Sequence, residues 1–382
     1  MQHLHTRWLH KPLLMGISIV ILIMTGGGGS SLALGRIHSS VAASASIGSS
    51  LSAQPTRSRT LYIGSNDGNL YSLNASTGAL NWDYPTGKYQ RILLSSPVVV
   101  EGLVYFGSTN HNVYALNAST GKRVWRYKTG GWVPTTPAVV NGIVYIDSFD
   151  GNLYALNANT GTLIWRYYTG KFSYSSPAVA GGIVYFGSSD DNVYALDANT
   201  GTLIWRYTTG SLIYGSPTVV NGIVYIDSFD GNLYALNANT GTLIWSFNTG
   251  GEPRSKPTIA GGLVYVGTTY YNLYALNART GAFVWSYSSP GGFSYSSPQV
   301  TKGILYIGAW ESNIYALNAR TGVLIWSYAT GSNVDSSPAV SDGIVYIGTY
   351  DHNVYALDAT TGVFIWKYTT GNEVDSSPIV VG

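Results

Sequence analysis

The feature that most constrains this chain is an internal repeat of about forty residues. The segment NLYALNANTGTLIW begins at Asn152 and again at Asn232, and the similar NVYALDANTGTLIW begins at Asn192. A tryptophan near the end of each copy recurs at Trp82, Trp125, Trp165, Trp205, Trp245, Trp285, Trp326 and Trp366. Successive tryptophans are 40 residues apart, except for one step of 43 and one of 41. The chain therefore contains eight copies of one structural unit.

Each unit has the pattern of four short strands. In residues 175–210 the apolar runs SSPAVA, IVYFGS, VYALDA and TLIWRY are separated by GG, SDDN and NTG. Short apolar runs bounded by Gly, Asn, Asp and Ser are typical of strands joined by tight turns. Four-stranded units of this period indicate the blades of a β-propeller, and the GH…WD signature of WD40 blades is missing. We predict an all-β, eight-bladed β-propeller of four-stranded blades.

The two ends of the repeat region predict how the ring closes. The region starts at Leu61 with the second strand of a unit, and residues 376–382 supply only a first strand. An open β-solenoid is the alternative architecture. Pairing the N- and C-terminal strands completes one blade and removes two exposed sheet edges. We therefore predict a ring closed by that pairing.

The N-terminal segment has the features of an export signal. Arg7 and Lys11 precede an apolar run over residues 13–24, and SLA at residues 31–33 fits a cleavage site. We predict a signal peptide or N-terminal anchor over residues 1–33, a Ser/Ala-rich linker over 34–59 and the propeller over 60–382. An extracytoplasmic location follows, whether secreted, periplasmic or cell-surface, with membrane contact only if the segment stays uncleaved.

Composition excludes several classes of chemistry and partner. The chain has no cysteine, so disulfides, thiolate catalysis and a lipid-bearing cysteine are excluded. Of the 20 basic residues, five fall before residue 60, which leaves 15 basic against 18 acidic groups in the repeats. This balance predicts no nucleic-acid surface. We expect a monomer.

The pattern A-x-D/N-x-x-T-G-x-x-x-W, seen in YALDANTGTLIWRY, resembles the PQQ-type propeller repeat and its tryptophan-docking motif. The resemblance covers residues 61–382 and implies the propeller fold. The family includes quinoprotein dehydrogenases and a non-enzymatic outer-membrane assembly lipoprotein. We assign the eight repeat tryptophans a structural role, because each could bury roughly 200 Å² of surface as blades stack.

One face of the ring carries the sequence differences between units. The connections between second and third strands, and those between blades, vary freely, and they hold most aromatic residues outside the template. Clustered loop aromatics favour a binding surface for a protein or a glycan, although such residues can also cap the blade core. The predicted partner-binding residues are Trp132, Phe172, Tyr270, Tyr271, Phe293, Trp310 and Tyr350.

The residue before each inner strand is predicted to ring the channel mouth. These residues are Leu94, Pro134, Tyr174, Tyr214, Arg254, Tyr295, Asp335 and Asp375. The last six form a candidate cofactor-binding pocket. Asp335 and Asp375 could hold a metal ion, Ca²⁺, together with backbone carbonyls, or they could be solvated aspartates on the rim.

Three functions remain open from the sequence. The resemblance implies, for the quinoprotein enzymes, that PQQ is clamped between a tryptophan and a vicinal disulfide beside Ca²⁺, and this chain has no cysteine. Within the repeats, residues 61–382, His-x-His and His-Glu-x-x-His spacings and a G-x-S-x-G elbow are missing as well. The first hypothesis is an exported, non-catalytic binding scaffold without a resident cofactor. The alternatives are a PQQ/Ca²⁺-dependent quinoprotein dehydrogenase-like protein and a carbohydrate-binding propeller.

Overall fold

The computed structural model describes residues 59–87, 95–293 and 295–382. The predicted signal segment and all of the predicted linker except Arg59 lie outside these residues. Within them the regular elements are all β-strands. No helix long and apolar enough to cross a membrane is found in this described part.

The strands are short and evenly distributed along the repeats. In chain order they are β1 (Thr60–Gly64), β2 (Asn69–Asn74), β3 (Leu80–Pro85), β4 (Val98–Val100), β5 (Leu103–Ser108), β6 (Asn112–Asn117), β7 (Arg123–Lys128), β8 (Ala138–Val140), β9 (Ile143–Asp147), β10 (Asn152–Asn157), β11 (Leu163–Tyr168), β12 (Ala178–Ala180), β13 (Ile183–Gly187), β14 (Asn192–Asp197), β15 (Leu203–Thr208), β16 (Thr218–Val220), β17 (Ile223–Asp227), β18 (Asn232–Asn237), β19 (Leu243–Asn248), β20 (Thr258–Ala260), β21 (Leu263–Gly267), β22 (Asn272–Asn277), β23 (Phe283–Ser288), β24 (Gln299–Thr301), β25 (Ile304–Ala309), β26 (Asn313–Asn318), β27 (Leu324–Ala329), β28 (Ala339–Ser341), β29 (Ile344–Gly348), β30 (Asn353–Asp358), β31 (Phe364–Thr369) and β32 (Ile379–Val381).

The described strands form eight antiparallel sheets of four strands each. Seven sheets take four consecutive strands, and we number them blade 2 (β4–β7) to blade 8 (β28–β31) in chain order. Blade 1 has the order β3-β2-β1-β32, so its inner strand comes from the far end of the chain. The predicted all-β, eight-bladed propeller of four-stranded blades is confirmed.

The ring closes through the pairing of β1 with β32. The register is antiparallel, with Leu61 opposite Val380 and Tyr62 opposite Ile379. The predicted closure by N- and C-terminal strands is thus confirmed, and the solenoid alternative is wrong. Closure matters physically because an open ring would expose two unpaired sheet edges.

Burial differs between the strands of a blade. Residues of the two middle strands are almost wholly buried, as in β13 and β14 of blade 4, because neighbouring blades cover both sheet faces. The outer strands instead alternate, and apolar residues such as Leu163 and Ile164 are exposed there. The inner strands are half-buried because one side faces the central channel.

Adjacent blades are joined by a ring of tryptophan contacts that we call the tryptophan belt, formed by the eight repeat tryptophans. Trp205 is representative: its indole N–H donates to the Ala238 carbonyl of the next blade at 2.8 Å. The Tyr185 hydroxyl donates to the same carbonyl at 3.1 Å. Gly241, with φ of +70°, lies against the indole, and a Cβ there would be 2.7 Å from the ring. Trp366 makes the equivalent bond to Ala75 across the chain ends, so the belt is continuous.

Candidate functional site

A central cavity of about 790 Å³ runs between the inner strands and is lined by all eight blades. The six residues predicted as a cofactor pocket all line this cavity: Tyr174, Tyr214, Arg254, Tyr295, Asp335 and Asp375. Of the other two residues expected at the mouth, Pro134 is buried and Leu94 lies outside the described residues. Counting back from the S-S-P pattern therefore identified six side chains that line one cavity, and their role in binding a cofactor stays a prediction.

Aromatic side chains form a continuous line of contacts beside the mouth. Trp132 stacks on Phe149 with ring centres 6.0 Å apart, and Phe149 meets Tyr174 edge-on at 4.7 Å. Tyr174 then contacts Tyr214, also at 4.7 Å, and Phe172 packs on Phe149, Tyr174 and Tyr214. These five residues belong to the variable connections around blades 3 and 4.

Arg254 continues this line into blade 7. Phe229 lies 4.5 Å from Tyr214, and the Arg254 guanidinium lies 4.7 Å from the Phe229 ring and 5.3 Å from the Tyr295 ring. Tyr295 stacks on Trp310 at 6.0 Å. We call the eight aromatic residues of this line the aromatic arc: Trp132, Phe149, Phe172, Tyr174, Tyr214, Phe229, Tyr295 and Trp310.

The charge of Arg254 is matched locally. Its guanidinium is 3.0 Å from Glu252 and donates to the Tyr295 hydroxyl. Burial on its own lowers the pKa of Arg254, but the hydrogen bonds and charge of Glu252 and Tyr295 outweigh it, so the pKa is raised. Arg254 is therefore a fixed, paired cation that links two parts of the arc.

The acidic side of the mouth is also hydrogen-bonded. Asp335 accepts from the Trp310 indole at Oδ1 and from the Tyr350 hydroxyl at Oδ2, the latter at 2.6 Å. Burial raises the pKa of the Asp335 carboxyl, and burial with the Asp335 charge raises the pKa of Tyr350. Asn66 donates to Asp375 Oδ2 at 2.8 Å. These contacts order the rim between blades 7 and 1.

This arrangement does not fit the Ca²⁺ site predicted at Asp335 and Asp375. Ca²⁺ takes about six to eight oxygen ligands, and both Asp335 oxygens already accept hydrogen bonds from Trp310 and Tyr350. Within residues 59–87, 95–293 and 295–382, no group of three or more His, Cys, Asp or Glu side chains could hold a metal ion. PQQ binding at the six cavity residues stays a prediction.

The predicted partner surface divides into three parts. Trp132, Phe172 and Trp310 are exposed members of the arc, and Tyr350 is half-buried beside it. Tyr270 and Tyr271 are exposed by 57% and 55% in the blade 6 connection. The exposed aromatic residues of the prediction therefore lie in two places, along the arc and in the blade 6 connection.

Phe293 was wrongly placed on that surface. It is only 1% exposed and packs on Tyr287 and Tyr315, with ring centres 6.3 and 6.0 Å away. Its backbone N–H makes the same bond as that of the buried Val133 and Ile213 in other blades, although one extra residue separates Phe293 from the mouth position Tyr295. The signal was visible in the sequence as an apolar residue just before the mouth position, as at Val334 and Val374, although the loop before blade 4 has Ser173 there.

Sequence reasoning missed a ring of side chains one layer below the mouth. The second residue of the S-S-P pattern places a hydroxyl in the channel, and its oxygen accepts the backbone N–H of the preceding blade. Examples are Thr136 N to Ser176 Oγ at 2.9 Å and Ser297 N to Ser337 Oγ at 2.8 Å. We call this ring the hydroxyl girdle: Ser96, Thr136, Ser176, Ser216, Ser297, Ser337 and Ser377.

Lys256 replaces the hydroxyl in blade 6. Its side chain is accessible from the channel. The channel walls around it partly remove the ammonium from bulk water, and this desolvation lowers the pKa of Lys256. No acidic side chain of the described residues pairs with it. The signal was present in the sequence as SKP, where the other repeats have SSP, TTP or GSP.

Two buried carboxyls were also missed. Asp147 and Asp227 end the second strands of blades 3 and 5, where blade 4 has Gly187. Burial raises the pKa of both carboxyls well above the usual range of aspartate. In the described part of the chain, neither oxygen of Asp227 has a hydrogen-bond partner, nor has Oδ2 of Asp147. The sequence signal was YIDS in place of YFGS or YIGT.

Comparison with known proteins identifies the family. A sequence profile described as "Outer membrane protein assembly factor BamB" matches residues 88–174, 169–296 and 291–382, and no curated protein matches the chain. BamB from Moraxella catarrhalis has a similar structure, with a TM-score of 0.65 and 20% identity, over 78% of this chain and 91% of that one.

Two further structures share the fold. The computationally designed Ika8 protein has a TM-score of 0.66 at 17% identity, covering 75% of this chain and 89% of its own. Quinohemoprotein alcohol dehydrogenase from Comamonas testosteroni has a TM-score of 0.67 at 16% identity, covering 84% and 70%. At these identities the structures speak for the fold alone, whereas the profile spans most of the chain. The chain therefore belongs to the BamB family of PQQ-like β-propellers.

Proposed function

We propose that this protein is an exported, non-catalytic scaffold that binds an extended segment of a partner protein along the aromatic arc. The observation that carries the proposal is the series of contacts from Trp132 to Trp310, which follows the channel mouth across blades 3 to 7. The rings contact one another except between Phe229 and Tyr295, which are bridged by the Arg254 guanidinium.

The arc has the composition of a protein-binding surface. Trp132 and Trp310, at its two ends, are 47% and 44% exposed, and Phe172 between them is 37% exposed. Tryptophan, tyrosine and arginine dominate binding energy at protein interfaces because they combine large apolar area with polar groups. Ring contacts hold the arc side chains in place, so little side-chain entropy remains to be lost on binding.

An extended segment suits the shape of this surface better than a flat protein face. The arc is curved, and its members come from successive blades, so a bound chain would meet a new ring at each blade. The Glu252 carboxylate lies beside Arg254 on the rim and could accept hydrogen bonds from peptide N–H groups. Membership of a family described as an assembly factor supports a protein as the partner.

An extracytoplasmic location is part of the proposal. It rests on the basic and apolar pattern of residues 7–24 and on the family description, which refers to outer membrane proteins. A fusion of residues 1–33 to a reporter that is active only after export would test this part separately from binding.

The binding test uses peptide segments of exported proteins displayed as a library, followed by fluorescence anisotropy with the selected peptides. We expect Trp132→Ala combined with Phe172→Ala to weaken binding at least about 10-fold, as loss of interface anchors does. Tyr270→Ala combined with Tyr271→Ala is the matched control, because it removes two exposed aromatic rings outside the arc.

Other outcomes would contradict the proposal. Equal losses in both double variants would mean that the arc is not the specific site. Selective binding of oligosaccharides, lost in the arc variant, would make the protein a carbohydrate-binding propeller. Saturable, Ca²⁺-dependent quenching of tryptophan fluorescence by PQQ, with dye-linked alcohol oxidation, would establish the quinoprotein alternative.

A further inference from the structure

The hydroxyl girdle presents hydrogen-bond donors to the channel. Each girdle oxygen accepts one backbone N–H, as Ser176 does from Thr136 and Ser337 does from Ser297. Among the described residues, no acceptor is found for the hydroxyl hydrogens of the girdle, so they are left to donate to whatever occupies the channel. A ring of donors around a cavity suits an anion.

Lys256 adds the charge to this ring. It stands at the girdle position of blade 6, between Ser216 and Ser297 in ring order, and it lines the cavity. The Lys256 backbone N–H continues the girdle by donating to Ser297 Oγ at 2.9 Å. Its side chain cannot act as the acceptor for Ser216 N–H, and no described residue takes that place. The substitution therefore gives up a repeated structural hydrogen bond and introduces an unpaired ammonium.

The charges nearby limit the anion to a single negative charge. Arg254, at the mouth of the same blade, is already paired with Glu252, whereas Lys256 makes no ion pair with any described residue. Asp335 and Asp375 line the same cavity and would repel a second negative charge. A phosphate dianion is disfavoured on this ground.

The remaining walls suit an organic body. Inner-strand residues such as Val139, Val179 and Val219 line the cavity beneath the tyrosines of the mouth. A volume near 790 Å³ falls within the range of small-molecule sites, and is far larger than a chloride ion needs. An apolar group attached to the anion would cover these walls.

We propose that Lys256 and the hydroxyl girdle bind the carboxylate of a small amphiphilic monocarboxylic acid, whose apolar body lies along the valine-lined channel. The carboxylate accepts hydrogen bonds from the ammonium and from neighbouring hydroxyls such as Ser216 and Ser297. The carboxylate site lies one layer below the arc tyrosines that line the same cavity, and it does not depend on the arc binding a protein.

The test is calorimetric titration of the purified protein with hexanoate, and with hexanamide, acetate and chloride as comparison probes. We expect saturable binding of hexanoate, at least about 10-fold weaker binding of acetate, and no heat of binding from hexanamide or chloride. Lys256→Ser restores the template residue and supplies the missing acceptor for Ser216 N–H, so it should fold normally and lose hexanoate binding at least about 10-fold.

A second variant uses the repetition of the ring as an internal control. Lys256→Ser combined with Ser216→Lys moves the ammonium by one blade while keeping the number of hydroxyls and charges, and it should recover hexanoate binding. The arc variant with Trp132 and Phe172 replaced by alanine should bind hexanoate as the unaltered protein does. Unchanged hexanoate affinity in Lys256→Ser, or chloride binding as tight as that of hexanoate, would overturn the proposal.

Discussion

The tryptophan belt and the channel mouth are two rings built from one residue of each blade, and they differ in uniformity. In the belt, eight tryptophans donate to eight equivalent alanine carbonyls at 2.7–3.1 Å. At the mouth, the equivalent positions include Tyr174, Arg254 and Asp375. The comparison teaches that blade packing is secured at the periphery, which leaves the inner ring free to vary in chemistry.

We expect the largest loss of unfolding free energy when the ring is opened at its inner strands while the tryptophans of the belt are kept. Deletion of residues 376–382 removes β32 and its pairing with β1, along with the Ser376 and Ser377 hydrogen bonds to Gly64 and Ser96. At about 1 kcal/mol for each of about five hydrogen bonds, the free energy of unfolding should fall by about 5 kcal/mol. Thermal unfolding followed by circular dichroism measures this loss.

Deletion of Gly382 alone is the control for the truncation, because that residue follows β32 and belongs to no strand. It should unfold at the same temperature as the intact chain. An unchanged melting temperature in the longer truncation would show that the belt alone holds the ring closed.

Substitution of a belt tryptophan should cause the next largest loss of unfolding free energy. Trp205→Ala removes a buried indole, its bond to Ala238 and its contact with Tyr185, and should cost about 4 kcal/mol of unfolding free energy. Trp205→Phe should cost about 1–2 kcal/mol, because it keeps most of the apolar area and loses the hydrogen bond. Urea unfolding measures both.

Trp245 provides the matched comparison in the following blade. Because Trp245 makes the same bond to Ala278, its substitutions should reproduce the Trp205 values. Ligand binding at the channel, measured with hexanoate, should stay unchanged in the phenylalanine variants. Widely different costs at the two positions would contradict the uniformity of the belt.

The smallest change in unfolding free energy is expected on the inner side of blade 5. Gly215 and Asp227 stand there at the positions that Ser175 and Gly187 occupy in blade 4. A Cβ at Gly215 would overlap the Asp227 carboxyl, so Gly215→Ser alone forces one of the two to move and should destabilise the fold by about 2 kcal/mol. Combining it with Asp227→Gly restores the Ser–Gly hydrogen bond of blade 4, which measures 2.9 Å. The double variant should be more stable than the unaltered chain by about 1 kcal/mol.

The same variant changes the response to pH. Burial raises the pKa of Asp227 above its value in the unfolded chain, so the folded state binds more protons between the two values. Unfolding free energy should therefore fall as pH rises from the ordinary range of aspartate through the raised pKa. The double variant should show a shallower fall, with the remainder due to Asp147, in urea titrations at several pH values. An equal slope in both proteins would mean that Asp227 is not buried as described.

Most of the fold could be predicted from the sequence because it follows from repetition. The spacing of Trp125, Trp165 and Trp205 fixes the unit length, and the turn residues fix four strands in each unit. The closing pair of β1 and β32 follows from the partial units at the two ends. The hairpin Asn221-Gly222 has φ of 52° and 75°, in agreement with the expected turn chemistry.

The site was predictable only where it followed the repeat register. Counting back from S-S-P placed Tyr174, Arg254 and Asp335 on the cavity wall. The contacts of the arc could not be predicted, because ring geometry between blades depends on three-dimensional packing. Lys256 was missed although it lies two residues after Arg254 in the segment that leads into β20, and alternate residues of an extended chain face the same side.

The belt also bears on how such a chain can change over generations. Each tryptophan meets the same backbone carbonyl in the blade that follows, and a backbone carbonyl is present whatever the side chains are. Any unit is therefore an acceptable neighbour for any other, and a gene that duplicates whole units continues to encode compatible interfaces. Selection can then act on single channel residues, one copy at a time, without rebuilding the scaffold.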